Sequence, residues 1–153
     1  MEKHLDIPRV IFLPRHEAEN WKVNLPSVLI SIRGSWQEKS NFKDGWLDIL
    51  YLQFDDIECP VNIIESETFT RLETFTQSDA DAIKNFYLQW KDQVDLFIVH
   101  CEAGISRSAA VAKWLAEELG TGFPPHYNMH NRLVYNTLKG LPPPLAFPED
   151  IEE

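Results

Sequence analysis

The stretch VHCEAGISRSAAVAKWLAEELG, residues 99–120, begins as an apolar β-strand, passes through a short loop and continues as an amphipathic helix. Cys101 stands where the strand meets the loop, and Arg107 follows six residues later at the predicted start of the helix. Gly120 ends the helix, as glycine commonly does. A strand, a loop containing glycine and a helix N-terminus in this order predict a turn whose backbone N–H groups point inward and bind an anion.

Four apolar runs predict the strands of one sheet. They lie at residues 9–14, 27–32, 46–54 and 95–101. These runs contain many branched residues and lack strict alternation, which is typical of parallel strands buried on both faces. The run at 95–101 is the most apolar, so we expect it at the centre of the sheet.

Amphipathic segments predict the helices that accompany these strands. Ser78 is the expected N-cap of the first helix. The second begins at Ser106 or Ser108 and ends at Leu119, and a last helix spans residues 126–140. Strands that alternate with helices are typical of a sheet covered on both faces. The predicted fold class is therefore three-layer α/β, with a central, mostly parallel sheet flanked by helices.

The composition indicates one compact domain. The chain has 153 residues, of which 44% are hydrophobic, with nine Phe, five Trp and four Tyr. This is enough apolar material for one buried core, and the chain is short for two. We predict a single domain over residues 1–145, followed by an acidic tail at residues 146–153. We also expect the protein to be a monomer.

The net charge and the two cysteines limit the expected partners and compartment. A charge of −10 argues against broad binding to nucleic acid or to an anionic membrane, since both require a basic face. Any anionic substrate must therefore meet a local positive site. A pair of cysteines is too few for a disulfide framework, and a reactive thiol favours the reducing cytoplasm. The N-terminus lacks the layout of a secretory signal, and no apolar run has membrane-spanning length.

The sequence predicts no metal or cofactor. His126 and His130 have the spacing of metal ligands on one helix, but no third ligand accompanies them. Cys59 is predicted to be an unpaired thiol rather than a redox partner of Cys101.

The segment from Cys101 to Arg107 predicts chemistry on a phosphate group. A ring of inward N–H groups binds tetrahedral oxyanions, and the Arg107 guanidinium can clamp two of their oxygens. The same donors favour the ionised form of the Cys101 thiol, because a helix N-terminus and a cation stabilise negative charge. A thiolate beneath a bound phosphoryl group is positioned for in-line attack. The pattern therefore predicts cleavage of phosphoesters through a phosphocysteine.

These residues also match a known signature. His100, Cys101, Gly104, Arg107 and Ser108 fit the pattern HCxxGxxR followed by Ser or Thr. In this the chain resembles the cysteine-based protein tyrosine and dual-specificity phosphatases, above all their small single-domain members. The resemblance implies that Cys101 is the nucleophile and Arg107 the phosphate clamp, that Ser108 assists the thiolate as leaving group, and that His100 orients and tunes Cys101.

The resemblance further implies a phosphate cradle and a fold. The strand before the loop, the helix after it and a C-terminal helix suit the family over roughly residues 45–140. The cradle would consist of backbone amides of consecutive residues: Glu102, Ala103, Gly104, Ile105, Ser106 and Arg107.

The leaving oxygen requires a proton, which this family supplies from an aspartate on a loop after an upstream strand. The segment YLQFDDIECP, residues 51–60, presents Asp55 and Asp56 at a strand end. A strand followed by Phe-x-Asp resembles the general-acid loop of the family, which favours Asp56 and leaves Asp55 as the alternative. After phosphoryl transfer the same carboxylate would act as the base towards water.

One expected function and two alternatives follow. We expect hydrolysis of phosphotyrosine, with phosphoserine and phosphothreonine as further substrates, in phosphorylated proteins or peptides. One alternative is a catalytically weak or dead phosphatase-like domain that binds phosphorylated partners. The other is a rhodanese-like sulfurtransferase, which also holds a cysteine in an anion-binding loop but requires no general acid. The segment FDDI and the position of Ser108 favour the phosphatase.

Overall fold

The computed structural model describes residues 7–58 and 72–144, which contain four strands and four helices. The strands are β1 (Arg9–Pro14), β2 (Ser27–Arg33), β3 (Asp48–Gln53) and β4 (Leu96–Cys101). The helices are α1 (Arg15–Glu19), α2 (Gln77–Trp90), α3 (Arg107–Leu119) and α4 (Arg132–Lys139). Cys59 and the predicted acidic tail at residues 146–153 lie outside the described residues.

The four described strands form one parallel sheet in the order β1-β4-β2-β3. β4 lies between β1 and β2, so that Phe97 is in register with Val10 on one side and with Val28 on the other. Every residue of β4 is buried, which agrees with its position inside the sheet. The predicted α/β fold, with helices flanking a parallel sheet, is confirmed.

Side chains that alternate in direction along the strands fill a core on each face of the sheet. On one face, strand residues pack with buried residues of α2, α3 and α4, among them Val28, Ile30, Phe97, Ile83, Leu115 and Val134. On the other face, strand residues pack with partly buried aromatic side chains, among them Leu29, Leu96, Ile98, Trp21, Phe42 and Trp46. The sheet is therefore the middle layer of the molecule.

The start of α2 differs from the prediction. Thr76 rather than Ser78 is the N-cap, and its hydroxyl accepts a hydrogen bond from the backbone N–H of Asp79 over 3.2 Å. The Asp79 carboxylate accepts from the backbone N–H of Thr76 over 2.9 Å. This reciprocal capping box satisfies two donors that a Ser78 cap would leave exposed.

The last helix is shorter than predicted. α4 begins at Arg132 rather than at residue 126, because Asn131 is extended and caps it: its Oδ1 accepts from the backbone N–H of Val134 over 2.9 Å. His126 and His130 therefore do not share a helical face. Within residues 7–58 and 72–144, no three His, Cys, Asp or Glu side chains are grouped to hold a metal ion.

The candidate site lies at the edge of the sheet where the parallel strands end. α3 begins directly after Ser106, as predicted, and ends at Gly120, whose φ of 74° is left-handed. The residues that follow β2, β3 and β4 all reach this edge, which is where ligands of open α/β sheets bind. No described helix is both long enough and apolar enough to cross a membrane.

Candidate active site

Residues 102–106, called the Cys101 loop below, connect β4 to α3 and press against the end of β1. Gly104 has a φ of 71°, a left-handed conformation that other residues rarely adopt. A Cβ atom at this position would lie 2.3 Å from the backbone N of Pro14 and 2.5 Å from the backbone C of Leu13. The backbone N–H of Arg15 also donates to the carbonyl of Glu102 over 3.1 Å. Glycine is therefore required where the loop meets β1.

Cys101 lies at the base of this loop and is only 2% exposed. Its Sγ is 3.1 Å from the Oγ of Ser108, which is completely buried in the first turn of α3. The backbone N–H of Ser108 donates to the same sulfur over 3.5 Å. When the sulfur is ionised it accepts both hydrogen bonds at the positive end of a helix, an arrangement that stabilises a thiolate.

The backbone and Arg107 provide donors that the protein itself does not use. The backbone N–H groups of residues 103–106 donate to no acceptor among the described residues. Arg107 is 9% exposed, and its Nη1 donates to the carbonyl of Phe54 over 2.8 Å. Its Nε is buried and has no hydrogen-bond partner among the described residues. A buried donor is rarely left unpaired, so the Arg107 Nε can complete its hydrogen bonding with an oxyanion at the loop, and the N–H groups of residues 103–106 are available to the same anion.

His100 is held in its neutral form. Its Nδ1 is 3.1 Å from the carbonyl of Cys101, and because a carbonyl only accepts, this nitrogen carries the proton. Its Nε2 is 2.7 Å from the Oγ of Ser31 and accepts from that hydroxyl. Burial lowers the pKa of His100 and outweighs the opposing hydrogen bond to the Cys101 carbonyl. His100 therefore orients the backbone at Cys101 and brings no positive charge to the thiol at neutral pH.

Asp55, the alternative general acid, accepts structural hydrogen bonds on both of its carboxylate oxygens. Its Oδ1 accepts from the backbone N–H of Ser35 over 3.0 Å, its Oδ2 accepts from the Ser35 hydroxyl, and Oδ2 also accepts from the backbone N–H of Glu73 over 2.7 Å. Partial burial acts to raise the pKa of Asp55, but the bonds from Ser35 and Glu73 and the charge of Arg107 hold it below its ordinary value. A carboxyl in these surroundings stays ionised and is a poor proton donor.

Asp56, the favoured general acid, faces the Cys101 loop instead. Its side chain is exposed, and its Oδ1 accepts from the Oγ of Ser106 over 2.8 Å and from the Nδ2 of Asn131 over 2.7 Å. The structure thus brings Asp56 to the mouth of the loop that begins after Cys101.

The predicted cradle residues differ in what their side chains do. Glu102 points out of the loop: its Oε1 accepts from the Nε2 of Gln37 over 2.6 Å and lies 3.8 Å from the Nη1 of Arg15. Ala103 and Ile105 have exposed side chains, so the prediction places only their backbone N–H groups in the cradle. The Ser106 side chain is bound to Asp56.

Several residues that support the site were not predicted from the sequence. They are Ser31, Ser35, Tyr127 and Asn131. Tyr127 donates from its hydroxyl to the carbonyl of Ile105, and burial and then the negative charge of Cys101 raise its pKa. One feature of the sequence could have identified Asn131, because asparagine is a favoured N-cap immediately before a helical pattern. The others act across elements that the chain separates widely, so no local pattern marks them.

A cleft of about 520 Å³ opens beside the loop. Asp56 and Ser106 line it on the side of Cys101, and Met129, His130 and Arg132 line it on the side of α4. Burial lowers the pKa of His130, and the nearby charge of Lys113 lowers it further. The cleft leaves open space directly beside Asp56 and Ser106.

Comparison of the chain with known protein families finds no family model that matches, and no curated protein matches it significantly.

Proposed function

We propose that this protein is a phosphomonoester hydrolase that acts on phosphotyrosine, with phosphoserine and phosphothreonine as further substrates, through a phosphocysteine intermediate. One observation carries the proposal. Directly before the Cys101 loop lies the buried Cys101 sulfur, which is bound by Ser108, and at the other end of the loop Ser106 holds the carboxyl of Asp56 at 2.8 Å. A nucleophile and a proton donor thus flank one set of unused backbone donors.

In the first step, the loop amides and Arg107 hold the equatorial oxygens of the phosphoryl group while the Cys101 thiolate attacks phosphorus. The S–P bond forms as the P–O bond to the leaving group breaks, and the leaving oxygen takes the proton of Asp56. Negative charge shifts among oxygens that already face fixed donors, so little reorganisation is needed.

In the second step, water attacks the phosphocysteine and its proton passes to the Asp56 carboxylate. The P–S bond breaks and returns the electron pair to Cys101, where the Ser108 hydroxyl and backbone N–H stabilise the thiolate. Inorganic phosphate leaves, and Asp56 is again protonated for the next cycle.

Charge supports a phosphorylated protein or peptide as the substrate. The net charge is −10, and the loop contains Glu102 and no lysine, so substrates with several phosphates are disfavoured. Ile105 and Met129 are 41% and 59% exposed beside the loop and the cleft, which suits the apolar part of a phosphotyrosine. A catalytic thiolate also favours the cytoplasm as the compartment, because its reducing conditions keep a thiol free.

The test is turnover of p-nitrophenyl phosphate and of phosphotyrosine peptides without added metal. We expect the wild type to be active, Cys101→Ser to be inactive, and Cys59→Ser, the matched control, to remain active. Arg107→Lys should lose most activity, because an ammonium cannot reproduce the two-pronged contact.

The two alternative functions predict different results, which binding and sulfur-transfer assays of the wild type distinguish. A binding domain would retain phosphopeptides in the wild type without turnover, and a sulfurtransferase would move sulfur from thiosulfate to cyanide. Full activity in Cys101→Ser would overturn the proposal outright.

A further inference from the structure

Asn131 is completely buried, and its side chain uses every hydrogen-bonding group it has. Its Oδ1 accepts from the backbone N–H of Val134, and its Nδ2 donates to Asp56 Oδ1 over 2.7 Å and to the carbonyl of Ile57 over 3.3 Å. Its backbone N–H donates to the carbonyl of Ser106 over 3.0 Å. One residue therefore joins the loop after β3, the Cys101 loop and the start of α4.

We propose that Asn131 is the positioning residue for the general acid: its side-chain amide holds the Asp56 carboxyl over the Cys101 loop and determines which carboxyl oxygen carries the proton. This inference rests on the proposed function, since a general acid has a role only if a phosphoester is cleaved.

The choice of oxygen follows from the number of lone pairs. Asp56 Oδ1 accepts one hydrogen bond from Ser106 and one from Asn131, which occupies both of its lone pairs. No donor among the described residues reaches Oδ2. The acidic proton therefore resides on Oδ2, and this oxygen delivers it to the leaving group.

The two donors also favour the reaction itself. As the proton leaves Oδ2, negative charge develops on the carboxylate, and hydrogen bonds to a charged acceptor are stronger than those to a neutral one. The bonds from Ser106 and Asn131 therefore strengthen towards the transition state, which is the condition for lowering a barrier.

Asn131 also gives an exposed carboxyl a rigid support. Asn131 caps α4, and α4 packs against α3, the helix that begins at Arg107. The other charged or titratable groups that line the same cleft are Glu58, His130 and Arg132, and Glu58 and Arg132 are paired at 3.2 Å. The hydrogen bonds that hold Asp56 come from Asn131 and Ser106.

The first test variant is Asn131→Ser. Serine is a good N-cap, so the bond to Val134 is replaced, and the backbone bond to Ser106 does not depend on the side chain. The hydrogen bonds that are lost are the donations to Asp56 and Ile57, and the buried site also loses the volume of the amide group. The matched control is Asn136→Ser, the same substitution later on α4, where the side chain donates to the carbonyl of Pro142.

The readout is kcat/KM for two aryl phosphates whose leaving groups differ in their need for protonation. For phenyl phosphate, whose leaving group must be protonated, Asn131→Ser should lower kcat/KM at least about tenfold. This loss is part of the roughly 10²–10⁴-fold rate acceleration that a general acid contributes. For 2,4-dinitrophenyl phosphate, whose leaving group departs as an anion, the change should stay within about twofold. Asn136→Ser should leave both values unchanged. An equal loss on both substrates would show a structural role only and overturn the inference.

Two further measurements separate positioning from folding. In an Asp56→Ala background, Asn131→Ser should cause no additional loss, because it acts through Asp56; a full additional loss contradicts the inference. Asn131→Asp keeps the cap and the size of the side chain but places a carboxyl beside Asp56, so the basic limb of the kcat/KM profile should move to higher pH. If the basic limb of the profile did not move, the side chains at positions 131 and 56 would not be in contact. Failure of the proposed function can be distinguished from failure of this inference, because in the former case the wild type itself has no activity that depends on Cys101.

Discussion

The Ser106 hydroxyl donates to Asp56 Oδ1 over 2.8 Å, and this bond joins the loop after β4 to the loop after β3. The neighbouring carboxyl of Asp55 is bound to Ser35 and Glu73 instead, close to Arg107. Two adjacent residues of one chemical type therefore have different surroundings. Asp55 stabilises the edge of the sheet as an anion, whereas Asp56 is exposed towards the mouth of the site.

Substitution of these two carboxyls should separate activity from stability. Asp56→Ala should lower kcat/KM for phenyl phosphate by about 10²–10⁴ and remove the basic limb of its pH profile, because the general acid is lost. Its free energy of unfolding should fall less than that of Asp55→Ala, since the Asp56 side chain is exposed and accepts two hydrogen bonds rather than three.

Asp55→Ala should instead lower the free energy of unfolding by about 1–3 kcal/mol, because the donors on Ser35 and Glu73 lose their charged acceptor. Urea unfolding and steady-state kinetics on both variants measure the two effects. If Asp55→Ala rather than Asp56→Ala removed the basic limb, the assignment of the acid would be reversed.

Ser108→Ala should slow the breakdown of the phosphocysteine. The Ser108 hydroxyl lies 3.1 Å from Cys101 Sγ, and loss of a hydrogen bond to a charged group costs about 1.5–3 kcal/mol, or roughly 10- to 150-fold in rate. We expect kcat to fall and a burst of p-nitrophenol to precede the slower steady state. Rapid-mixing absorbance measures the burst, and Ser78→Ala, at an exposed serine, is the control. An unchanged kcat would remove Ser108 from the leaving-group step.

Gly104→Ala and Gly120→Ala form a matched pair, since both glycines are left-handed, with φ of 71° and 74°. A Cβ at Gly120 meets no atom of the described residues within 4 Å, so this variant should lose only the conformational cost of about 1–2 kcal/mol. At Gly104 the Cβ would collide with the backbone of β1 at 2.3 Å, which should cost about 1–3 kcal/mol more.

Urea unfolding gives the difference between the two glycine variants, and inhibition by vanadate reports whether the Cys101 loop still binds an oxyanion. We expect weaker inhibition in Gly104→Ala and normal inhibition in Gly120→Ala. Equal stability and equal inhibition would mean that the loop does not press against β1.

The buried histidine predicts how stability depends on pH. Burial lowers the pKa of His100 below its ordinary value near 6.5, so the unfolded chain binds more protons than the folded one as pH falls below about 6.5. The free energy of unfolding should therefore be highest above this pH and decrease towards pH 5, by up to about 1.4 kcal/mol per pH unit for one proton.

Urea unfolding between pH 5 and 8 measures this slope. The pKa of His130 is also lowered, so His100→Gln should reduce the slope without abolishing it. Equal slopes in His100→Gln and the wild type would show that His100 titrates normally in the folded protein. The lowered pKa values of Glu19, Asp55 and Glu58 act in the same direction, but at lower pH.

The parts of the fold that were predictable are those that the chain encodes locally. The apolar runs marked all four described strands, and Gly120 marked the end of α3, because burial in a sheet and helix termination depend on neighbouring residues. The start of α2 was also encoded, by Thr76 and Asp79 with capping-box spacing, although Ser78 looked like the simpler cap. The start of α4 depended on Asn131. Asn131 is extended and caps the helix at its N-terminus, so α4 does not extend back to residue 126.

The sequence by itself determined the Cys101 loop, because the sulfur, the glycine, the arginine and the serine lie within eight consecutive residues, and a strand-loop-helix turn brings them together. Tertiary structure alone decided how the surroundings of Asp55 and Asp56 differ and which residues bind Asp56. Asn131 is 75 residues from Asp56 in the chain, and Ser106 is 50. They meet only because parallel strands in the order β1-β4-β2-β3 end at one edge and α4 packs beside α3, an arrangement set by the burial of two cores rather than by any local pattern.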